Sequence, residues 1–173
     1  MFRVSEKKMN EMCDKFGFFL HQMYNIDGDL SNWRIMCTSP IFPPDTWPGL
    51  KNGGHTNSLC ELTYDSVSKE FSIDPEDDIR FASYIYPESI QNGKLYFKYD
   101  RRSIDEYTDD EEILANKKYY DQYIIKIKQD IPKNTLELYK YLKECRNVVD
   151  NTLLNQKQYL IDIRKDSFKG DFE

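Results

Sequence analysis

The sequence predicts an α+β fold, and two observations carry that prediction. Two β-hairpin patterns follow each other between residues 58 and 100, and helical patterns of apolar residues stand before and after them. Short strands with a single apolar face need a cover, which the flanking helices can supply. We therefore expect an antiparallel β-sheet of about four to five strands, packed against an N-terminal helix and a C-terminal helical hairpin.

Alternation of apolar and polar residues defines both hairpin patterns, at the period of two that half-buried strands show. The first pattern covers residues 59–73. The second joins residues 79–86 to residues 94–99, with Asn92 and Gly93 as typical turn residues in its connection. The side chains predicted to face the core are Cys60, Leu62, Tyr64, Phe71, Ile73, Phe81, Ile85, Leu95, Phe97 and Tyr99.

Before the hairpins, the pattern predicts an amphipathic helix over residues 5–24. Ser5 can cap its N-terminus, and its apolar residues recur at the three-and-four spacing of one helical face. Residues 33–37 are predicted to form a short strand, and residues 39–57 a long loop rich in proline and glycine. Loops of this length are usually functional or disordered, so this loop is the first candidate for a binding surface.

Two further helices are predicted after the hairpins, over residues 109–131 and 135–165. A capping box with acidic residues precedes the first of them, and Pro132 ends it. We expect the two helices to form an antiparallel hairpin. Over residues 123–128 a strand is the alternative, since apolar residues there also alternate. A break of the last helix near residue 150 also stays open.

Length and composition indicate a single globular domain over residues 1–173. Hydrophobic residues make up 39% of the chain and charged residues 31%, the balance of a folded rather than a disordered protein. The N-terminus has charges where an export signal needs an apolar run, and no apolar stretch is long enough to span a membrane. We expect a cytoplasmic protein that does not bind membranes.

The cysteines and histidines predict no special chemistry. Four cysteines, at positions 13, 37, 60 and 145, form no C-x-x-C pair, so we expect buried, reduced thiols. No paired Cys and His spacing indicates a zinc site, and no P-loop, dinucleotide-binding or EF-hand motif occurs. We therefore expect no cofactor, no metal, no catalytic residues and no enzymatic activity.

Negative charge is concentrated in the middle of the chain. Residues 61–112 contain fifteen Asp and Glu against six Lys and Arg, a net charge of −9 within a total of −6. Binding to a phosphate backbone needs clustered cations, so the pattern argues against nucleic-acid binding by the sheet region. The lysines of the C-terminal helices alternate with acids, which is typical of a solvated face. A basic protein is the partner that this charge pattern favours.

The function that these observations favour is inhibition of another protein. We expect an acidic immunity protein or antitoxin that neutralises a basic effector such as a nuclease toxin. Trp47 would be the desolvated anchor of the interface, and the carboxylates would steer association. The predicted partner-binding residues are Trp47, Asp74, Glu76, Asp77, Asp78, Asp105 and Glu106.

Three alternative functions stay open, and one of them is nucleic-acid binding by the lysine-bearing C-terminal helical hairpin. A metal-dependent hydrolase or nuclease could use the acidic turn between the hairpins together with His55, which follows two glycines in the long loop. A phage-encoded inhibitor or a regulatory adaptor would show the same composition and charge as an immunity protein.

Overall fold

A computed structural model describes residues 1–24, 30–44, 55–74, 76, 80–102, 106, 111 and 121–170. It confirms the α+β class. Trp47, Asp77, Asp78 and Asp105 lie outside the described residues, as do 11 of the 23 residues of the helix predicted over 109–131. In chain order the elements are β1 (Phe2–Ser5), α1 (Glu6–Phe16), β2 (Phe18–Tyr24), β3 (Leu30–Thr38), β4 (Thr56–Asp65), β5 (Glu70–Ile73), β6 (Tyr84–Gln91), β7 (Lys94–Asp100), β8 (Ile125–Lys126) and α2 (Thr135–Gly170).

The strands form two antiparallel sheets, in the orders β1-β5-β4-β3-β2 and β7-β6-β8. The two predicted hairpins therefore lie in different sheets. β5 covers one edge of β4 only at residues 63–65, and beyond it the second hairpin meets that edge at an isolated bridge rather than as a paired strand. The sheets meet at an isolated bridge between Cys60 and Phe81, beside a hydrogen bond from Ala82 N to Leu59 O of 3.0 Å.

The first hairpin, β4–β5, forms as the sequence predicts. Asp65 closes its turn, because its Oδ1 accepts hydrogen bonds from the main-chain amides of Val67 at 2.9 Å and Ser68 at 3.3 Å. Nine of the ten side chains predicted to face the core are buried, and Tyr64 is half-buried. The alternation of apolar residues thus identifies the buried face correctly.

The second hairpin is tighter than predicted. A strand over residues 79–86 and a long connection were expected, whereas β6 continues through Pro87 and the turn contains two residues, Asn92 and Gly93. Both have positive φ, 52° and 73°, as a two-residue hairpin turn that matches the twist of the strands requires. A bulge between Pro87 and Ser89 accommodates the proline within the strand.

The helix predicted over residues 5–24 is wrong in its second half. Ser5 caps α1 as predicted, accepting a hydrogen bond from Lys8 N at 3.4 Å, but the helix ends at Phe16. Gly17 follows in the left-handed region at φ 69°, and its N–H bonds back to Asp14 O. Residues after Gly17 form β2, because pairing with β3 outweighs a continuation of the helical pattern.

The helical hairpin predicted across residues 132–134 is also corrected. Residues 124–134 are not helical, and Ile125–Lys126 pairs with β6 as β8. Ile127 N donates a hydrogen bond to Ser83 O at 2.8 Å, which continues this attachment. The alternative prediction of a strand over residues 123–128 is therefore closer to the structure than the predicted helix, because β6 supplies the hydrogen bonds of a strand there.

A single unbroken helix, α2, closes the fold and runs five residues beyond the predicted end, with no break near residue 150. Asn134 and Glu137 form a capping box at its N-terminus: Asn134 Oδ1 accepts from Glu137 N at 3.0 Å, and Glu137 Oε2 accepts from Lys133 N at 2.8 Å. The helix buries Leu138, Leu142 and other side chains against both sheets.

Where the structure describes them, the start of the long loop packs into the core, and the cysteines are buried as the sequence predicts. Ile41 and Phe42 are fully buried, and Ile41 O accepts a hydrogen bond from Phe97 N at 2.8 Å. All four cysteines are buried free thiols. No helix in the described part of the chain is long and apolar enough to cross a membrane.

Candidate functional site

The acidic turn that follows β5 is the described part of the predicted binding surface. Asp74 Oδ1 accepts a hydrogen bond from the main-chain amide of Glu76 at 3.1 Å, and the amino group of Met1 lies 3.9 Å away. The side chain of Asp74 is 41% exposed, and Glu76 is exposed. An aspartate that bonds the amide two residues later closes a local turn, so these two carboxylates are presented together.

Of the other predicted site residues, Glu106 is exposed. Trp47, the expected anchor, and the acids Asp77, Asp78 and Asp105 lie outside the described residues, so the structure brings together only Asp74 and Glu76. The predicted anchor and three of the predicted steering charges stay predictions.

His55 lies far from the acidic turn with which the alternative hydrolase would combine it. Its Nδ1 donates a hydrogen bond to Phe42 O at 2.6 Å, and its ring stacks on Tyr96 with the centroids 6.1 Å apart. β4 and β5 pair Thr63 with Ser72. Continued by two residues, the same register places Asp74 opposite Glu61. His55 precedes Glu61 by six residues, roughly 20 Å along an extended strand. His55 and Asp74 therefore do not lie in one catalytic centre, while Asp77 and Asp78 of the same turn lie outside the described residues.

No metal site accompanies the acidic turn in the described residues, where no three His, Cys, Asp or Glu side chains come close enough to share an ion. Nor do the thiols offer a nucleophile: burial raises the pKa of Cys13 and of Cys37 to about 12. A buried thiol that keeps its proton at neutral pH has little nucleophilic character.

A polar cleft of about 220 Å³ lies between the two sheets. Sequence reasoning missed it, because its charged residues come from four separate segments and only one adjacent arginine pair stands out in the sequence. The charged residues that line it are Arg34, Glu61, Arg80, Asp100, Arg101 and Arg102.

Contacts within the protein account for much of this cleft. Arg34 forms an ion pair with Glu61, and Arg80 Nη1 donates a hydrogen bond to Thr63 Oγ1 at 2.7 Å. Because Arg80 precedes β6 and Thr63 lies on β4, their contact joins the two sheets. The hydrogen bond between Arg80 and Thr63 in this cleft therefore helps to hold the two sheets together.

The bulge of β6 holds a half-buried carboxyl group. Glu88 Oε2 is buried and has no hydrogen-bond partner among the described residues. Burial raises the pKa of Glu88, the nearby Lys98 lowers it, and Asp100 raises it further. Asp100 itself accepts a hydrogen bond from the Tyr86 hydroxyl at 3.1 Å. The net effect of this arrangement is a pKa of Glu88 above its ordinary value.

Comparison with known proteins adds no relative. No family model matches the sequence, and neither the search of curated proteins nor the search of solved structures finds a significant match.

Proposed function

We propose that this chain is a protein-binding inhibitor, an immunity protein or antitoxin that neutralises a basic effector such as a nuclease toxin. The observation that carries the proposal is the acidic turn after β5, where Asp74 and Glu76 are presented together and exposed. This turn belongs to the segment 61–112, whose net charge is −9. We place the inhibition in the cytoplasm, where an intracellular toxin would have to be neutralised.

The physical argument rests on preorganisation and on charge. A turn closed by its own hydrogen bond has fewer conformations to lose on binding, which lowers the entropic cost of an interface. Complementary charge raises the association rate and fixes the orientation of the encounter. An inhibitor that must capture a toxic protein before it acts gains most from a fast association.

The test is a comparison of captured proteins between the parent chain and the variant Asp74→Asn/Glu76→Gln. The introduced asparagine keeps the side-chain oxygen that closes the turn, so the variant removes charge without removing structure. Glu11→Gln/Asp14→Asn is the matched control, because it removes the same charge from exposed positions of α1. We expect a basic protein that the parent and the control capture from the native host and that the variant captures less.

Two further measurements decide between the proposal and its alternatives. Expression of the captured protein alone should arrest growth, and co-expression of the parent chain should restore it. With purified proteins, the association rate of the parent should fall with salt, and the variant should associate more slowly with a weaker salt dependence. A captured protein that is basic but harmless would instead indicate a regulatory adaptor, and capture that is equal for parent and variant would overturn the proposed surface.

A further inference from the structure

Helix α2 carries a line of three exposed apolar side chains on the side away from the core. Leu154, Ile161 and Phe168 are 62%, 45% and 64% exposed. They are spaced by seven residues, close to two helical turns, so they align over about 21 Å. The buried Gln156 of the same helix points roughly half a turn away. We call these three side chains the α2 stripe.

Basic residues border the α2 stripe on both sides. Lys157 follows Leu154 by three positions and Arg164 follows Ile161 by three, so both lie on one border of the stripe. Lys165 follows Ile161 by four positions and lies on the opposite border. All three cations are exposed.

The acid nearest to these cations is Asp162, which lies further round the helix. It accepts a hydrogen bond from Gln158 Nε2 at 2.7 Å, and its Oδ1 lies 3.9 Å from Lys165 Nζ. Both members of this ion pair are exposed, so the pair is weak and Lys165 can turn toward a more favourable carboxylate. Asp150 precedes Leu154 by four positions and lies on the same border as Lys157, but it forms an ion pair with Arg146. Cations therefore predominate along the borders of the stripe.

We infer that the α2 stripe docks an acidic amphipathic helix of another protein. With one apolar residue in every seven, the stripe is narrower than the two-in-seven seam of a coiled coil and far narrower than the broad apolar face of a helix lying on a membrane. It therefore suits a limited contact with the apolar residues of a single partner helix. Charged residues beside such a seam select the partner. With cations on both borders, the complementary helix carries Glu or Asp beside its own apolar residues.

A second copy of this chain is a poor occupant of the same surface. In an antiparallel pair centred on Ile161, Lys157 of one copy would face Arg164 of the other. In a parallel pair the opposite borders meet, so Lys165 of one copy would face Arg164 of the other. Like charges placed beside a helical seam disfavour that pairing, so the charge pattern selects against self-association.

This inference is independent of the proposed inhibition. The acidic turn follows β5 and is negative, whereas the α2 stripe lies on the last helix and is bordered by cations. A variant that affects one surface should leave binding at the other unchanged, so failure of either proposal is recognisable separately.

The test uses the full chain and a synthetic helical peptide of about three heptads, with leucine at every seventh position and glutamates on both borders. A second peptide carries lysines in place of the glutamates. Binding is followed by fluorescence anisotropy at low and at high salt. We expect the glutamate peptide to bind, more weakly at high salt, and the lysine peptide not to bind.

Variants of the chain locate the binding. Ile161→Ser, and separately Lys157→Gln/Arg164→Gln, should each weaken the glutamate peptide by about tenfold or more, which corresponds to about 1.4 kcal/mol. Leu136→Ser is the matched control, since Leu136 is another exposed apolar residue, near the start of α2. This variant should bind as the parent does. These positions are exposed, so the variants should fold, which circular dichroism checks.

Three results would overturn the inference. The first is equal binding of the lysine peptide, or equal binding of the glutamate peptide by Ile161→Ser. The second is binding of the parent to phosphatidylcholine–phosphatidylserine vesicles that depends on Ile161, which would make the stripe a membrane contact. The third is a dimer in sedimentation velocity that Ile161→Ser abolishes, which would make the occupant a second copy.

Discussion

The side-chain amide of Gln156 donates a hydrogen bond to the main-chain carbonyl of Leu95 at 2.6 Å, which links α2 to β7 inside the core. The same Nε2 lies 3.3 Å from Pro40 O, so one buried amide holds a helix, a strand and the start of the long loop together. A polar side chain at this depth is retained because its partners would otherwise lose their hydrogen bonds.

Replacing Gln156 by Leu should therefore destabilise the fold. The buried carbonyl of Leu95 and the part-buried carbonyl of Pro40 would lose a donor. We expect a cost of about 1 to 3 kcal/mol in the free energy of unfolding, measured by urea denaturation. Gln158→Leu is the control, because Gln158 is exposed and bonds only to Asp162 among the residues described. An equal, small loss for both variants would show that the buried amide contributes little.

Leu142 on α2 and Phe97 on β7 should be the most costly single truncations. Both are fully buried, one on the helix and one on the smaller sheet. Each substitution to Ala removes a large side chain and leaves a cavity, so we expect losses of about 2 to 5 kcal/mol in the free energy of unfolding. Leu136→Ala, at an exposed position of the same helix, should cost under about 0.5 kcal/mol. A small loss at Leu142 would mean that α2 does not cover the sheets.

The stability of the fold should decrease at alkaline pH because of its buried thiols. Burial raises the pKa of Cys13 and Cys37 to about 12, whereas a thiol in an unfolded chain titrates near about 8.5. Above that pH the unfolded chain binds fewer protons than the folded chain, so the free energy of unfolding falls. Each thiol contributes up to about 1.4 kcal/mol per pH unit.

Urea denaturation at about pH 8 and at about pH 10 measures this loss. Cys13→Ala, which removes one titrating thiol, should show a shallower decrease than the parent. These thiols lower the free energy of unfolding only above the pKa that they have in the unfolded chain. Near neutral pH we therefore expect them to cause no pH dependence of stability. A parent chain that is equally stable at both pH values would contradict the burial of the thiols.

Gly17 and Gly93 should each resist replacement by Ala for a conformational reason. Their φ angles are 69° and 73°, and a Cβ would meet Arg146 Nη1 at 3.7 Å in the first case and no atom within 4 Å in the second. Space is therefore available, and the left-handed conformation itself should cost about 1 to 2 kcal/mol at each site. Gly17→Asn should cost less than Gly17→Ala, since Asn tolerates this conformation. Equal thermal stability of the Ala variants and the parent would contradict the assigned turns.

Local patterns explain how much of the fold could be predicted. The β4–β5 hairpin and the cap at Ser5 depend on neighbouring residues, and the sequence identifies both. Strands β1 and β2 were missed, because a strand exists through a partner that is distant in the sequence. The one local signal at the boundary of α1 was Gly17, which the continuing apolar spacing concealed.

The same distinction applies to the candidate surfaces. Asp74 and Glu76 are neighbours in the sequence, so their turn could be predicted. Arg34 and Arg80 line one cleft only because β3, β4 and the second sheet fold together, and no spacing in the sequence indicates this. On α2 the sequence showed an apolar helix, but which side stays exposed depends on where the sheets lie. Leu154 was for that reason not distinguished from the core residues.

The pairing of β1 with β5 has a consequence for synthesis on the ribosome. Phe2 pairs with Ile73, so the first strand cannot find its neighbour until about 70 more residues have been translated. At about 5 to 20 residues per second, that interval lasts roughly 4 to 14 s. During it the nascent chain exposes an unsatisfied strand edge, which is the period in which we expect a chaperone such as a ribosome-bound holdase to matter most.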